Sequence, residues 1–197
     1  FLFCLGGNFI SATPQTKLKS KAVEKLQMCV HVSTKLNRSH LVQSDEMLIL
    51  PCLGRTELDE QLSGEQFVTV ENSMGVVHTS RGTLKPASDS LRSEPWIIAQ
   101  LADKTLDDSP IDYLGLVDDY DAIRSLIAES IAGFEDYNER VREENGFNLP
   151  NPPKDDREFD TIDGLASFSI NNLPDVSLQD EEFVMMTIRS HDQYNTT

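Results

Sequence analysis

Three short apolar runs, each closed by glycine, a small polar residue or proline, decide the fold of this chain. Residues 1–9 read FLFCLGGNF, residues 28–33 read MCVHVS, and residues 46–51 read EMLILP. Continuous apolar runs of this length are typical of strands buried in a parallel sheet. Between the first two runs, Thr13-Pro14 predicts an N-cap and a first helical turn. Strand, helix, strand, connection and strand indicate an α/β fold with an open, mostly parallel sheet flanked by helices.

The chain after residue 56 has a different pattern. We expect two short strands around a turn at Asn72-Ser73, three helices, and two later strands. Ser93 is predicted to cap the first of these helices, and Glu94 to lie near its positive end. The predicted strands are 66–70, 75–79, 165–170 and 183–188, and the predicted helices begin at Ser93, Asp119 and Glu135.

These patterns divide the chain into three predicted segments. Residues 1–105 are the α/β domain, and residues 106–157 are an acidic helical segment that ends in a proline-rich linker. Residues 158–197 are a β segment that we expect to open a C-terminal domain. Because the chain begins inside an apolar run rather than with a polar lead-in, we expect it to be an internal fragment of a longer protein.

Composition excludes several classes of function. The chain has 197 residues, of which 39% are hydrophobic, and a net charge of −16. So acidic a protein is not a general nucleic-acid binder, since phosphate binding needs a basic surface. No apolar run is long enough for a membrane span, and we expect a cytoplasmic location. The three cysteines have no CxxC or disulfide-scaffold spacing. The four histidines have no ligand spacing, and no serine lies in a Gly-x-Ser-x-Gly motif. We therefore predict no metal site and no catalytic residue in this stretch.

The polar loops after the three apolar runs are the candidate ligand site. Residues 1–56 hold seven basic and three acidic residues, whereas the rest of the chain holds 10 basic and 30 acidic residues. Ligands of open α/β sheets bind beyond the carboxyl ends of the strands, where glycine exposes backbone N–H groups to phosphates. Taken singly, loops of this composition are more often tight turns or solvated connections than ligand sites. Together they predict an anion or nucleotide site formed by Gly6, Gly7, Asn8, Ser33, Thr34, Asn37, Arg38 and Arg55.

Longer stretches resemble the molybdopterin oxidoreductases, in particular the formate-dehydrogenase-like alpha-subunit group. The resemblance covers nearly the whole chain. It is carried by LGGNF (5–9) with ATP (12–14), VSTKLNRSH (32–40), ILPCLGRTE (49–57), VENSMG (70–75), RSEPWII (92–98) and IRSHDQYNTT (188–197).

The resemblance implies a fold, a cofactor and a set of contacts. Such enzymes hold molybdenum or tungsten between two molybdopterin guanine dinucleotides, and two Rossmann-like halves each bind one dinucleotide. This chain would be most of the second half, followed by the connection to a C-terminal β-barrel. The implied dinucleotide contacts are Asn8, Ser33, Thr34 and Glu94. The barrel segment that touches the pterin would include Arg189, Ser190, His191, Asn195 and Thr196.

The resemblance also implies what this stretch lacks. The metal ligand, the substrate channel and the cysteines of a possible [4Fe-4S] cluster belong to other segments of the parent chain, so these residues alone should be inactive. The partners would be the remaining domains of the parent chain and an unidentified electron-transfer protein. Two other functions stay open. One is a nucleotide- or anion-binding regulatory domain without redox chemistry, and the other is an interaction module that uses the acidic helices.

Overall fold

The computed structural model describes residues 1–174 and 176–186, and it is mixed α/β. The chain separates into two compact units, Phe1–Leu149 and Pro150–Thr197. Sheets and most helices belong to the first unit, which also contains the candidate ligand site.

A three-stranded parallel sheet opens the first unit, as predicted. Its strands are β1 (Leu2–Leu5), β2 (Met28–Ser33) and β3 (Glu46–Pro51), in the order β1-β2-β3. The register pairs Leu5 with Val32 and Ser33 with Pro51, so the three strands end at the same edge. Strand β2 is central and its last five residues are buried. The parallel sheet predicted from the apolar runs is confirmed, whereas its membership of a larger Rossmann-like half stays a prediction.

Two helices follow β1, where the sequence predicted one. They are α1 (Phe9–Ala12) and α2 (Thr16–Val23). Thr13 does not cap α2; its Oγ1 donates to the carbonyl of Phe9 and closes α1. Helix α2 starts after Gln15, which adopts a left-handed φ of 61°. The helices pack on one face of the sheet through an apolar cluster of Ile10, Val23 and Cys29, with Leu2, Cys4, Leu26 and Val42 around it.

Antiparallel strands follow the parallel sheet. A two-stranded hairpin consists of β4 (Asp59–Gln61) and β5 (Gly64–Gln66), and a second sheet has the order β6-β7-β8. Its strands are β6 (Val68–Glu71), β7 (Val76–Ser80) and β8 (Phe147–Asn148). The hairpin predicted around Asn72-Ser73 is confirmed. The β4–β5 hairpin was not predicted, because its strands contain no apolar residue.

Four helices complete the first unit. They are α3 (Glu94–Thr105), α4 (Tyr113–Asp118), α5 (Tyr120–Ser130) and α6 (Tyr137–Arg140). The helices predicted from Ser93 and Asp119 are confirmed, and the one predicted over 135–144 is reduced to α6. Two apolar clusters hold this part together. One contains Ala99, Val117 and Tyr120, and the other contains Phe67, Val77, Tyr137, Val141 and Phe147.

The second unit contains a short helix, α7 (Pro152–Asp155). The strand predicted at 165–170 is wrong: these residues form no strand, and neither do residues 183–186. Alternation of apolar and polar residues is insufficient without a hydrogen-bonded neighbouring strand. Residues 187 and 188 of the second predicted strand lie outside the described residues. The expected start of a β-barrel therefore stays a prediction. Among residues 1–174 and 176–186, no helix has the length and hydropathy needed to cross a bilayer.

Candidate ligand-binding edge of the parallel sheet

The three predicted loops meet at the carboxyl edge of the parallel sheet. The Gly6 N–H donates to the carbonyl of Val32 at 2.8 Å, which ties the first loop to the end of β2. The Asn37 side-chain amide donates to the carbonyl of Gly7 at 2.8 Å. The loop after β3 joins them through the Cys52 N–H, which donates to the carbonyl of Ser33 at 3.3 Å. The edge is therefore one continuous, hydrogen-bonded surface.

The backbone conformation of the turn after β1 favours glycine at both positions 6 and 7. Gly6 and Gly7 have φ angles of 65° and 73°, a left-handed conformation that strains residues with a Cβ atom. A Cβ atom on Gly7 would have no other atom within 4 Å, so this residue faces open space. The turn therefore offers bare backbone at the edge of the sheet, which suits close approach by a ligand.

Several predicted contact residues are engaged within the protein. Ser39 Oγ donates to Asn8 Oδ1 at 3.1 Å, and the Ser39 N–H donates to Asn37 Oδ1 at 2.9 Å. The Ser33 hydroxyl lies 3.1 Å from Nε2 of the buried His40. The hydrogen bonds of Asn8, Ser33 and Asn37 hold the loops in place. Thr34 and Arg38 are exposed to solvent.

Glu94, the first residue of α3, points towards this edge. Its Oε1 lies 3.5 Å from the place where a Cβ atom on Gly6 would stand. Among the residues that the structure describes, no group donates a hydrogen bond to this carboxylate. Burial, followed by the negative charge of Glu94, raises the pKa of Cys52 to about 11. Glu94 is thus a free acceptor beside the glycine turn.

Glu94 lines a cavity of about 330 Å³ together with Thr34, Gly54 and Arg55. This volume lies at the lower end of the range for small-molecule sites. It is adequate for the nucleoside end of a dinucleotide. Arg55 is exposed and supplies a cation at the cavity, so a group that carries both hydrogen-bond donors and a phosphate has complementary partners here.

Two other carboxylates line the same cavity, but the protein uses both. The Glu57 carboxylate accepts from the backbone N–H groups of Gly54, at 2.6 Å, and Ala87, at 2.7 Å. Asp59 accepts from the Tyr120 hydroxyl at 2.5 Å and from the Gln61 amide at 2.6 Å. Among the described residues that line this cavity, Glu94 is therefore the carboxylate whose oxygens are open to a ligand.

Ser93 does not cap α3, contrary to the prediction. Its side chain makes no cap hydrogen bond, and its hydroxyl instead lies 2.7 Å from that of Tyr120. Burial, followed by the hydrogen bond to Asp59, raises the pKa of Tyr120. The Ser93–Tyr120–Asp59 chain of hydrogen bonds locks the start of α3 against the β4–β5 hairpin, and so fixes the position of Glu94.

Residues that sequence reasoning missed complete the cavity. Phe67 connects β5 to β6, Val68 and Ser80 belong to β6 and β7, and Gly82 lies in the loop after β7. No local pattern marks them, because they reach the cavity only through the packing of the second sheet beside the first. The remaining predicted contacts (Arg189, Ser190, His191, Asn195 and Thr196) lie outside the described residues.

Comparison with known proteins relates the chain to a segment of larger proteins. It is 50% identical over 194 residues to a protein of Mycobacterium bovis and to one of Mycobacterium tuberculosis, each named "Uncharacterized oxidoreductase"; the match covers 98% of this chain and 25% of each relative. It is 46% identical over 199 residues to Protein YdeP of Escherichia coli O6:H1, covering 100% of this chain and 26% of that protein.

The chain spans about a quarter of the length of the curated relatives it matches. It is therefore similar to one segment of larger proteins, of which the mycobacterial ones carry the name oxidoreductase. No protein-family model matches the chain.

Proposed function

We propose that this chain is the part of a molybdenum- or tungsten-dependent oxidoreductase that binds one molybdopterin guanine dinucleotide. The observation that carries the proposal is the Glu94 carboxylate, which accepts no hydrogen bond from the described residues and lies beside a left-handed Gly6-Gly7 turn. The mycobacterial relatives named as oxidoreductases support a redox function for the parent protein. We also propose that the parent protein acts in the cytoplasm.

The residues at the edge fit the guanine nucleotide end of such a cofactor. Guanine presents two adjacent donors, N1–H and the amino group, and a carboxylate accepts both. Glu94 would hold them, Arg55 would neutralise phosphate charge, and the bare backbone of Gly7 would allow close approach. Asn8, Ser33 and Asn37 contribute by fixing the loops, because their side chains are bonded to the protein itself.

The metal of the bound cofactor supplies the redox chemistry, and these residues supply binding and position. The Ser33 hydroxyl and the His40 imidazole lie within hydrogen-bond distance of each other, but both are buried, so we assign them to holding the loops. No acid–base pair is needed for this binding role. This chain would therefore bind the cofactor within a larger enzyme that resembles the formate-dehydrogenase-like alpha subunits.

Substitution of Glu94 in the full-length protein tests the proposed binding role. Glu94→Gln keeps the shape of the side chain but replaces one acceptor oxygen with a donor. Loss of this acceptor should cost about 1–3 kcal/mol of cofactor affinity, or roughly 5- to 150-fold. The readouts are molybdenum or tungsten content by mass spectrometry and GMP released from the purified protein by acid hydrolysis.

Glu57→Gln is the matched control, since Glu57 lines the same cavity but accepts from its own backbone. We expect Glu57→Gln to lower the melting temperature more than the cofactor content, and Glu94→Gln to do the reverse. Equal cofactor content in wild type and Glu94→Gln would refute the binding role of Glu94.

The same samples distinguish the second candidate, a regulatory domain that binds a nucleotide without redox chemistry. The combination of Glu94 and Arg55 at one cavity would also suit a free guanine nucleotide. That function predicts bound nucleotide without molybdenum or tungsten, whereas the proposed function predicts metal and GMP lost together.

A further inference from the structure

A second group of reactive side chains lies on the sheet face beneath α1 and α2, away from the cavity. Cys4 on β1 and Cys29 and His31 on β2 place their sulfur and nitrogen atoms within 4.8 Å of one another. The register pairs Cys4 with His31 and Leu2 with Cys29, so all three side chains leave the same face of the sheet. This group could not be predicted from the sequence, because positions 4, 29 and 31 match no metal-binding spacing.

We infer that Cys4, Cys29 and His31 form a three-coordinate site for a soft monovalent cation, Cu(I). Two sulfurs and one imidazole are the donor set that favours Cu(I) or Zn(II) over harder ions. The geometry of the cluster and its surroundings decide between these two metals.

The spacing of the donors suits a planar site. With metal–ligand bonds of about 2.0–2.3 Å, three donors around one ion stand roughly 3.5–4.0 Å apart. Cys29 Sγ lies 3.3 Å from His31 Nε2, and the remaining separations extend no further than 4.8 Å. Changes of about 1 Å or less in these separations therefore bring the three atoms to bonding distance. On binding, both thiols release their protons to solvent and the imidazole binds through Nε2.

The surroundings disfavour Zn(II), which needs a fourth ligand. Cys29 and His31 are 0% and 4% exposed, and apolar side chains such as Ile10 and Val23 surround Cys29. His40 stacks near His31, with ring centroids 4.6 Å apart. Both of its nitrogens are already used, Nδ1 by the Asn37 N–H and Nε2 by the Ser33 hydroxyl. Among the described residues, a fourth protein ligand is therefore absent.

Titration of the full-length protein with Cu(I), in competition with the colorimetric chelator bathocuproine disulfonate, tests the site. Wild type should retain about one more Cu(I) per chain than Cys4→Ala. Cys52→Ala is the matched control, since Cys52 is also buried but lies outside the cluster. It should retain as much Cu(I) as wild type. Comparison among the variants removes the contribution of other cysteines in the full-length protein.

X-ray absorption of the copper-loaded protein gives a second measurement. The difference between wild type and Cys4→Ala should correspond to a copper bound by two sulfurs and one nitrogen. His31→Gln provides a further variant should Cys4→Ala fail to fold, and it should lose the same equivalent. Equal Cu(I) retention in wild type, Cys4→Ala and His31→Gln would overturn the proposal. So would a four-coordinate Zn(II) in the purified protein that depends on Cys4, or a loss in Cys52→Ala as large as in Cys4→Ala.

Discussion

The carboxyl edge of the parallel sheet and the acidic helical region use their polar groups in opposite ways. At the edge, Gly7 faces open space, Arg55 is exposed, and Glu94 accepts no hydrogen bond from the described residues. In the helices, Asp112 and Asp119 cap α4 and α5 through the N–H groups of Gly115 and Asp121. High charge density therefore does not locate a ligand site.

Asp121 is a carboxylate of the helical region that the protein itself uses. Its carboxylate pairs with Arg124 and, at 2.7 Å, with Arg142. Burial raises the pKa of Asp121, but the hydrogen bonds from Arg142 and Arg124 lower it by a larger amount. The pKa of Asp121 is therefore below its usual value. Arg124 also donates to Asn138 and to the carbonyl of Phe67, so it joins α5 to the residue that precedes β6. These contacts argue against an interaction module built on free carboxylates at this position.

Gly146→Ala should give the largest effect, because it breaks the junction between the helical region and the second sheet. Gly146 has a φ of 63°, and an added Cβ would lie 2.0 Å from the carbonyl oxygen of Val77. Backbone strain and overpacking together should lower the free energy of unfolding by about 3–5 kcal/mol. Urea unfolding of the full chain measures it.

Gly75→Ala is the control for that substitution. Its φ of 78° is similarly left-handed, but no atom lies within 4 Å of the added Cβ. Gly75→Ala should lower the free energy of unfolding by about 1–2 kcal/mol, through backbone strain alone. Equal losses in the two variants would show that the contact with Val77 does not exist in solution.

The sequence predicted the parallel sheet because each strand is a continuous apolar run, a local property. It also predicted the meeting of the three loops, because the ends of parallel strands share one edge. It could not predict which carboxylate stays free. The Glu57 carboxylate accepts a hydrogen bond from the N–H of Ala87, thirty residues away in the sequence. The Asp59 carboxylate accepts one from the hydroxyl of Tyr120, sixty-one residues away.

The failed capping prediction has the same origin. Ser93 occupies the N-cap position of α3, but a tyrosine twenty-seven residues later is its hydrogen-bond partner. Hydrogen-bond partners that are distant in the sequence cannot be predicted from the spacing of neighbouring residues. The strand predicted at 165–170 failed for a related reason, since its alternation carries no information about a partner strand.

Arg124→Met should give the next largest effect, again in the helical region. The change keeps an apolar stem but leaves the Phe67 carbonyl and the Asn138 amide oxygen without their donors. Unpaired buried groups of this kind cost about 2–3 kcal/mol in total. Arg142→Met is the matched control, since it removes the exposed partner of the same Asp121. Exposed ion pairs contribute about 1 kcal/mol or less. Should Arg142→Met destabilise the chain as much as Arg124→Met, burial would not be what distinguishes the two pairs.

Gly7→Ala should have a smaller effect on stability than Gly146→Ala or Arg124→Met, and it is the most direct test of the ligand edge. With a φ of 73° and no atom within 4 Å of the added Cβ, it matches Gly75 in conformation and free space. Each substitution should therefore lower the free energy of unfolding by about 1–2 kcal/mol through strain alone.

The two glycine variants differ only in what lies in front of the new methyl group. On Gly7 the methyl projects from the turn that carries the proposed cofactor contact, so Gly7→Ala should lower bound metal and GMP in the full-length protein. Gly75→Ala, on the distant turn between β6 and β7, should leave both unchanged. If both variants lost the same stability and kept the same cofactor content, the open space at Gly7 would be solvent rather than a binding surface, and the guanine contact would have to rest on Glu94 alone.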